Sequence, residues 1–288
     1  MAHVQTRMNT IPLIWMAGQS NMEGMGWNRE LPAGLRGVPV NHWIYSPNRR
    51  KDGESTDPFT QWHPLIPGFG YGVSQDRRGL HLSDRFGVEL SFSRRLMKLR
   101  PEAPLALLKV AKGGSSLHPD PPSDWGTWDP ALDDRGIRNQ FTYLREAATR
   151  CQKLPLPNTR LHIDPRPSLF IWIQGESDAA FNRPIAEAYE KHLGSFFTRV
   201  RNLANHPTLP ILLVRLSKGG TLPNGTLSMP WAEQIRESQT AVASEDPAID
   251  LVSIPEPVVW QDPWHYDSET VLKLGERLAE RVNDFGIF

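Results

Sequence analysis

The chain has 288 residues, of which 32 are basic and 32 acidic, so its formal net charge at pH 7 is zero. This balance gives no electrostatic reason to expect a nucleic acid or an anionic membrane as a partner. The one cysteine, Cys151, excludes an intrachain disulfide framework and a site built from several thiolates. It lies in a helix-like stretch, where we expect a buried structural thiol.

No polar linker or break in composition divides the chain, so we predict one domain over residues 1–288. The apolar run that follows Arg7 is too short for a membrane span, and no small-residue cleavage site comes after it. We therefore expect no signal peptide or transmembrane segment in these residues. A cytoplasmic protein and a mature secreted or periplasmic form both fit, and the oligomeric state is left open.

Apolar runs alternate with segments of helical period along the chain. The predicted strands are Ile11–Ala17, Val40–Tyr45, Leu105–Ala111, Leu169–Ile173 and Ile211–Leu216, with Ile249–Ile254 as a further candidate. Apolar residues spaced three and four apart predict helices over Asp84–Arg100, Ile185–Ala204 and Ser268–Asn283, with Ser268 as the N-cap of the last one. This alternation is typical of an α/β protein whose parallel sheet is covered on both faces.

Two segments, 46–82 and 113–133, are rich in Pro, Gly, Asp and Trp and show no periodicity. They predict long ordered loops, and we expect them to wall a binding cleft at the loop-built edge of the sheet. The chain has 10 tryptophans. Those in loops could stack on sugar rings, but packing is the commoner role of an indole, so none is assigned individually.

The first predicted strand runs into Gly18-Gln-Ser-Asn-Met22, a turn that contains a single serine. A turn at the carboxyl end of a parallel strand lifts a hydroxyl out of the sheet, where it can act as a nucleophile. Serine needs a base within hydrogen-bond reach, and that base must be oriented by a third group. Ser20 is therefore a candidate nucleophile that requires partners elsewhere in the chain.

A candidate base and its orienting acid occur together in Asp262-Pro-Trp-His265, just before the last predicted helix. On one tight turn, the carboxylate of Asp262 could hold the Nδ1–H of His265 while Nε2 faces the serine. This pair would supply what Ser20 lacks.

Two further strand ends offer hydrogen-bond donors. Lys112-Gly-Gly-Ser-Ser116 brings the backbone N–H of Gly114, and Trp172-Ile-Gln-Gly-Glu-Ser-Asp178 brings the amide of Gln174. With the N–H of Ser20 these would form three donors for an oxyanion. Glu176 could assist His265 or hold the serine loop. No metal-binding motif is present, so we predict no metal and no other cofactor.

Taken together, the four strings resemble the SGNH/GDSL hydrolase superfamily. They are most similar to the branch that contains sialate O-acetylesterases and the acetylxylan esterases of carbohydrate esterase family 6. The strings occur in the family's order and span nearly the whole chain. The resemblance implies a three-layer α/β/α sandwich with a parallel, flavodoxin-like sheet, no cofactor, and a serine esterase that removes acetyl groups from a carbohydrate.

The resemblance also implies roles for individual residues. Ser20 would be the nucleophile, His265 the base and Asp262 its orienting acid. The oxyanion hole would consist of Ser20 N–H, Gly114 N–H and Gln174. Some relatives use the glutamate of the third string beside the histidine, so Glu176 shares the third role as a possibility. Ser115 departs from the family, because many relatives have threonine there.

Three other functions are kept as alternatives. In a nucleotide- or phosphate-binding module, the loop 18–26 would hold a phosphate, but its spacing matches neither G-x-G-x-x-G nor a P-loop. Such a module would also give Asp262 and His265 no role. A catalytically silent carbohydrate-binding relative, and an esterase or thioesterase that acts on non-sugar acyl esters, fit the same strings.

Overall fold

The computed structural model of the protein describes residues 10–37, 41–120 and 125–287. The strands in these ranges are β1 (Thr10–Ile11), β2 (Leu13–Gly18), β3 (Gly26–Trp27), β4 (His42–Tyr45), β5 (His63–Pro64), β6 (Ser74–Asp76), β7 (Gly79–His81), β8 (Arg85–Phe86), β9 (Leu105–Ala111), β10 (His162–Ile163), β11 (Leu169–Ile173), β12 (Ile211–Val214) and β13 (Ile249–Val252). The α-helices are α1 (Ser20–Glu23), α2 (Val88–Leu99), α3 (Pro130–Asp134), α4 (Gln140–Cys151), α5 (Glu176–Ala180), α6 (Arg183–Leu203), α7 (Ala232–Glu245) and α8 (Ser268–Asp284). Short 3-10 helices cover Asn28–Glu30 and Ala33–Leu35.

Seven strands form the central sheet, in the order β13-β12-β11-β2-β9-β4-β5. Every pair in it is parallel except β4–β5, which is antiparallel and closes one edge. The predicted first strand is divided at Pro12, because β1 pairs with β10 while β2 enters the sheet. Since β2, β9 and β11 are parallel neighbours, the residues that follow them meet at one edge of the sheet.

The two faces of the sheet are covered by different helices, which follows from the alternation of side chains along each strand. In β2, Trp15 packs into a core cluster with Phe196 of α6. Its neighbours Ile14 and Met16 pack into a second cluster with Leu274 of α8. The predicted three-layer α/β/α sandwich is confirmed.

Several predicted boundaries change, each for a local reason. Helix α2 begins at Val88 and not at Asp84, because Arg85–Phe86 pairs with β3. Ser268 is not the N-cap of α8: the side chain of Asp267 caps it by accepting the N–H of Thr270 at 2.8 Å. The strands predicted over Ile211–Leu216 and Ile249–Ile254 end at Val214 and Val252, whereas Val40 of the predicted second strand lies outside the described residues.

Helix α7 was not predicted. Its buried positions include the polar residues Ser238 and Gln239 beside Ile235 and Val242, which obscures the apolar stripe that sequence patterns reveal. Cys151 is a buried free thiol at the end of α4, as expected.

The predicted loop 46–82 contains the short strands β5, β6 and β7, and the predicted loop 113–133 contains the start of α3. Residues 121–124 of the second loop are not described. Among the helices of the described ranges, none combines the length and the apolar character that crossing a membrane requires.

Candidate active site

The serine turn sits where β2 meets the end of β11. Gly18 has a φ of +152°, and a Cβ at this position would lie 1.9 Å from the carbonyl oxygen of Ile173, so the close approach requires glycine. Gln19 donates its N–H to that carbonyl at 3.0 Å, and its side-chain oxygen accepts the N–H of Ser177 at 3.2 Å. The turn that precedes Ser20 is therefore fixed by the third sequence string.

His265 and Asp262 lie on one turn, as predicted. The Nδ1 of His265 is 2.7 Å from Oδ2 of Asp262. The other carboxylate oxygen accepts the backbone N–H groups of Trp264 at 2.8 Å and His265 at 2.9 Å. Partial burial acts to raise the pKa of Asp262, but the hydrogen bonds from His265 and from these N–H groups outweigh it and keep the pKa below its ordinary value. Asp262 is thus an anion that faces the imidazole.

Asn21 joins the serine turn to the histidine turn. Its side-chain amide donates to the carbonyl of Trp264 at 3.2 Å and to Oε1 of Glu176 at 2.6 Å. Its side-chain oxygen accepts the N–H of Tyr266 at 3.3 Å. One side chain, adjacent to Ser20, therefore bonds to the residues on both sides of His265. The sequence predicts no role for Asn21, although this residue lies within the serine turn Gly18-Gln-Ser-Asn-Met22.

Ser20 and His265 are brought to the same edge without a hydrogen bond between them. In the described part of the chain, neither Ser20 Oγ nor His265 Nε2 has a hydrogen-bond partner, and Ser20 is 6% exposed. Catalytic hydrogen bonds are often long before substrate binds, so this separation is compatible with a nucleophile and its base.

Glu176 contacts Asn21 and makes no hydrogen bond to His265. It is buried, Oε1 accepts from Asn21, and no described residue hydrogen-bonds to Oε2. Burial raises the pKa of Glu176 above its usual range. In this structure the group bonded to the imidazole is Asp262. Glu176 bonds to Asn21, and Asn21 bonds in turn to the backbone on both sides of His265.

The loop after β9 packs against the serine turn. A Cβ on Gly113 would lie 3.4 Å from Cβ of Ser20. Gly114 has a φ of +78°, and a Cβ there would lie 2.1 Å from the ring of Trp125, so both its backbone and its surroundings require glycine. Among the described residues, the N–H groups of Ser20 and Gly114 have no hydrogen-bond acceptor. Both are free to bind an oxyanion.

Gln174 is placed differently from the predicted oxyanion donor. Its amide nitrogen donates to Oδ2 of Asp178 at 2.6 Å and to the carbonyl of Ser115 at 3.2 Å, which uses both hydrogens. Its oxygen accepts from the hydroxyl of Tyr189 at 3.0 Å. Asp178 also accepts the N–H of Leu117, and burial raises its pKa to about 6. Gln174 would have to release one of its partners before it could donate to a substrate.

The loop tryptophans divide by exposure. Trp62 and Trp128 are buried in the core, while Trp231, Trp260 and Trp264 are partly buried against it. Trp125 is 51% exposed and packs on the backbone of Gly114. Among the described residues, no group of three or more His, Cys, Asp or Glu side chains is arranged to hold a metal ion.

A sequence model of the family described as carbohydrate esterase, sialic acid-specific acetylesterase, matches residues 11–284. The chain belongs to this family. The protein is therefore a carboxylic ester hydrolase, a carbohydrate O-acetylesterase that acts on acetylated carbohydrate. Among curated protein sequences, none matches the esterase significantly.

Several solved structures have the same fold as this esterase. A protein from Arabidopsis thaliana superposes with a TM-score of 0.68 at 18% identity, over 95% of this chain and 98% of its own. A carbohydrate acetylesterase from Xanthomonas citri, XAC1771, gives 0.63 at 16% identity over 96% of this chain and 57% of its own. Est24, a carbohydrate acetylesterase from Sinorhizobium meliloti, gives 0.53 at 16% identity over 95% and 99%. These matches show that the chain shares its overall α/β fold with these proteins.

Proposed function

We propose that the esterase removes acetyl groups from a carbohydrate through an acetyl-serine intermediate. Ser20 attacks the acetyl carbonyl while Nε2 of His265 takes the proton of its hydroxyl. Asp262, bonded to Nδ1, stabilises the imidazolium that forms. His265 then gives the proton to the sugar oxygen as the carbonyl–oxygen bond breaks. Water attacks the acetyl-serine by the same proton path and releases acetate.

The observation that carries this proposal is the pairing of His265 with Asp262 at 2.7 Å on a turn that Asn21 fastens beside Ser20. A nucleophile, a base beside it, and an ionised acid bonded to that base are the elements of acyl transfer by serine. The low pKa of Asp262 supports the role, since an orienting acid must remain charged.

The oxyanion hole is proposed to use the backbone N–H groups of Ser20 and Gly114. A preorganised donor at the developing oxyanion contributes about 3 kcal/mol to transition-state stabilisation. Gln174 as a third donor stays a prediction, because its amide must first leave Ser115 or Asp178.

One feature of the site and the family description favour a sugar as the leaving group. The indole of Trp125 is exposed and lies directly against Gly114, where it could stack on the ring that bears the acetyl group. The family description adds sialic acid to the acetylated sugars that deserve testing, alongside xylan and shorter oligosaccharides.

The experiment is acetate release by the wild type and by Ser20→Ala. The substrates are O-acetylated sialic acid, acetylated xylan, acetylated oligosaccharides and p-nitrophenyl acetate, with butyrate and octanoate esters for comparison. Ser20→Ala should lower kcat by about 1,000-fold or more. The control is Ser244→Ala, which removes an exposed hydroxyl on α7 and should leave activity unchanged.

Each part of the proposal can fail separately. Near wild-type turnover by folded Ser20→Ala would refute the acetyl-serine route. Equal rates on acetate and octanoate esters, with no release from any sugar, would refute the carbohydrate specificity and leave the serine mechanism intact.

A further inference from the structure

Glu23 is a buried carboxylate on the serine helix that the mechanism above does not use. It is the last residue of α1, three positions after Ser20, and is 4% exposed. Its Oε1 accepts the N–H of Gly113 at 2.9 Å. A Cβ on Gly113 would lie 3.3 Å from Oε2 and 3.4 Å from Cβ of Ser20, so the carboxylate, the glycine and the serine are packed together.

A partly exposed arginine, Arg49, forms an ion pair with the carboxylate of Glu23. Nη1 of Arg49 lies 3.4 Å from Oε2, and the guanidinium of Arg49 stacks 4.1 Å above the ring centre of Tyr71. Burial raises the pKa of Glu23, whereas Arg49 and the N–H of Gly113 act to lower it. A charged group is costly to bury unless it is paired and hydrogen-bonded, and Glu23 has both kinds of partner.

The backbone carbonyl of Glu23 accepts a hydrogen bond from Lys109, which forms a buried ion pair with Glu89. Nζ of Lys109 donates to the carbonyl of Glu23 at 2.9 Å and to that of Phe69 at 2.7 Å, and lies 3.0 Å from Oε2 of Glu89. The main chain of Glu23 is therefore held in place while its side chain reaches across to the next loop. Such an arrangement makes Glu23 a rigid link between β2 and β9.

We propose that Glu23 is a positioning residue of the oxyanion hole. By holding the N–H of Gly113, it sets the distance between the Gly114 donor and the Ser20 nucleophile. This inference rests on the proposed function, in which those two groups act on the same acetyl carbon and oxygen. An oxyanion donor must lie 2.7–3.1 Å from the oxyanion, and misplacement by about 1 Å can cost about 100-fold in rate.

Two conservative substitutions separate the hydrogen bond from the charge. Glu23→Gln keeps an oxygen at the position that accepts from Gly113 and removes the charge. Glu23→Asp keeps the charge and withdraws the oxygens by one methylene. If position is what matters, Glu23→Asp should lower kcat by about 10- to 100-fold, while Glu23→Gln stays within about fivefold of the wild type.

The readouts exclude a merely structural role. KM for acetyl esters should change by less than about threefold in Glu23→Asp, because the defect lies in the transition state. Ki for a methyl trifluoromethyl ketone, which forms a tetrahedral adduct with serine, should rise by the same factor as kcat/KM falls. A loss of stability alone would change the melting temperature and leave both quantities unaltered in the folded enzyme.

The matched control is Asp246→Asn. Asp246 also accepts a backbone N–H, that of Ala248 at 2.9 Å, and also pairs with an arginine, Arg201, but it follows α7 away from the site. Its replacement should leave kcat and Ki unchanged. Should Glu23→Asp fail to fold, Gly113→Ala tests the same contact from the other side and should lower kcat with KM retained.

The proposal is overturned if folded Glu23→Asp has kcat within twofold of the wild type. It is also overturned if its kcat falls while Ki for the ketone stays constant, or if Gly113→Ala, used when Glu23→Asp does not fold, turns over at the wild-type rate. An active Ser20→Ala variant overturns the proposed function and this inference together. An inactive Ser20→Ala beside a fully active Glu23→Asp overturns this inference alone.

Discussion

Two histidines at opposite edges of the sheet differ in the hydrogen-bond partners of their ring nitrogens. His42 begins β4 at the amino edge, and it is 2% exposed. Its Nδ1 bonds to Oγ of Ser93 at 2.7 Å and its Nε2 to the carbonyl of Ala103 at 3.1 Å. His265 lies at the carboxyl edge, where Nδ1 bonds to the carboxylate of Asp262 and no described residue bonds to Nε2.

The difference identifies what a proton-transferring histidine requires. At His42 both nitrogens bond to neutral partners, and no carboxylate among the described residues is bonded to the ring. Burial, with a smaller contribution from the charge of Arg94, lowers the pKa of His42 to about 4, although the hydrogen bond to Ala103 acts to raise it. At His265, Nε2 has no partner among residues 10–37, 41–120 and 125–287, and Nδ1 faces an anion that would stabilise the protonated ring. The environment, and not the residue type, sets the role.

The largest effect should come from removing the anion behind His265. Asp262→Asn leaves the turn able to form but deprives the imidazole of its charged partner, so kcat should fall on the order of 1,000-fold or more. Glu176→Gln preserves the acceptor for Asn21 and should keep kcat within about fivefold. The measurement is steady-state hydrolysis of p-nitrophenyl acetate. A larger loss in Glu176→Gln than in Asp262→Asn would transfer the orienting role to Glu176.

A second, smaller effect concerns Gln174, which lies at the carboxyl edge yet has its hydrogen bonds satisfied, as His42 does. Gln174→Ala should lower kcat by about 100-fold with little change in KM. The double variant with Asp178→Asn separates two causes. If Gln174 acts through its hydrogen bond to Asp178, the double variant should be no worse than the poorer single one. Multiplying losses would instead indicate that the two residues act independently, as expected of a direct oxyanion donor.

Sequence patterns predicted those elements whose apolar pattern matches their burial in the folded protein. The buried runs Leu105–Ala111 and Leu169–Ile173 became strands with those same limits, because a strand covered on both faces is apolar throughout. The strings that contain Ser20 and His265 lie at one edge of the sheet, where Asn21 bonds to Trp264 and Tyr266. The sequence also predicted that Asp262 would face His265, since a spacing of three residues on a turn makes that contact local.

Contacts between distant parts of the chain could not be predicted in this way. Asn21 bonds to Trp264, and Glu23 to Gly113, only because the order of the strands brings three loops together. The engagement of Gln174 with Asp178 likewise depends on how α5 turns after β11. Spacing along the chain carries no information on such contacts, because they follow from the order of the strands in the sheet.

Replacing His42 should have the smallest effect on activity. It should instead change how the free energy of unfolding depends on pH, which tests the comparison of the two histidines directly. The unfolded chain binds a proton near pH 6.5, whereas the folded protein does so only near pH 4. The contribution of His42 to the free energy of unfolding is therefore fully present above pH 6.5. It is lost as the pH falls toward 4, by about 3 kcal/mol at most. His42→Gln should lack this component of the unfolding free energy, measured by urea denaturation across that range, and should hydrolyse acetyl esters normally at pH 7. The exposed His162 supplies the control for replacing a histidine, and His162→Gln should leave the free energy of unfolding at pH 7 unchanged. If the free energy of unfolding of His42→Gln depends on pH as that of the wild type does, His42 accepts a proton as readily in the folded protein as in the unfolded chain. The contrast with His265 would then lie only in the carboxylate of Asp262.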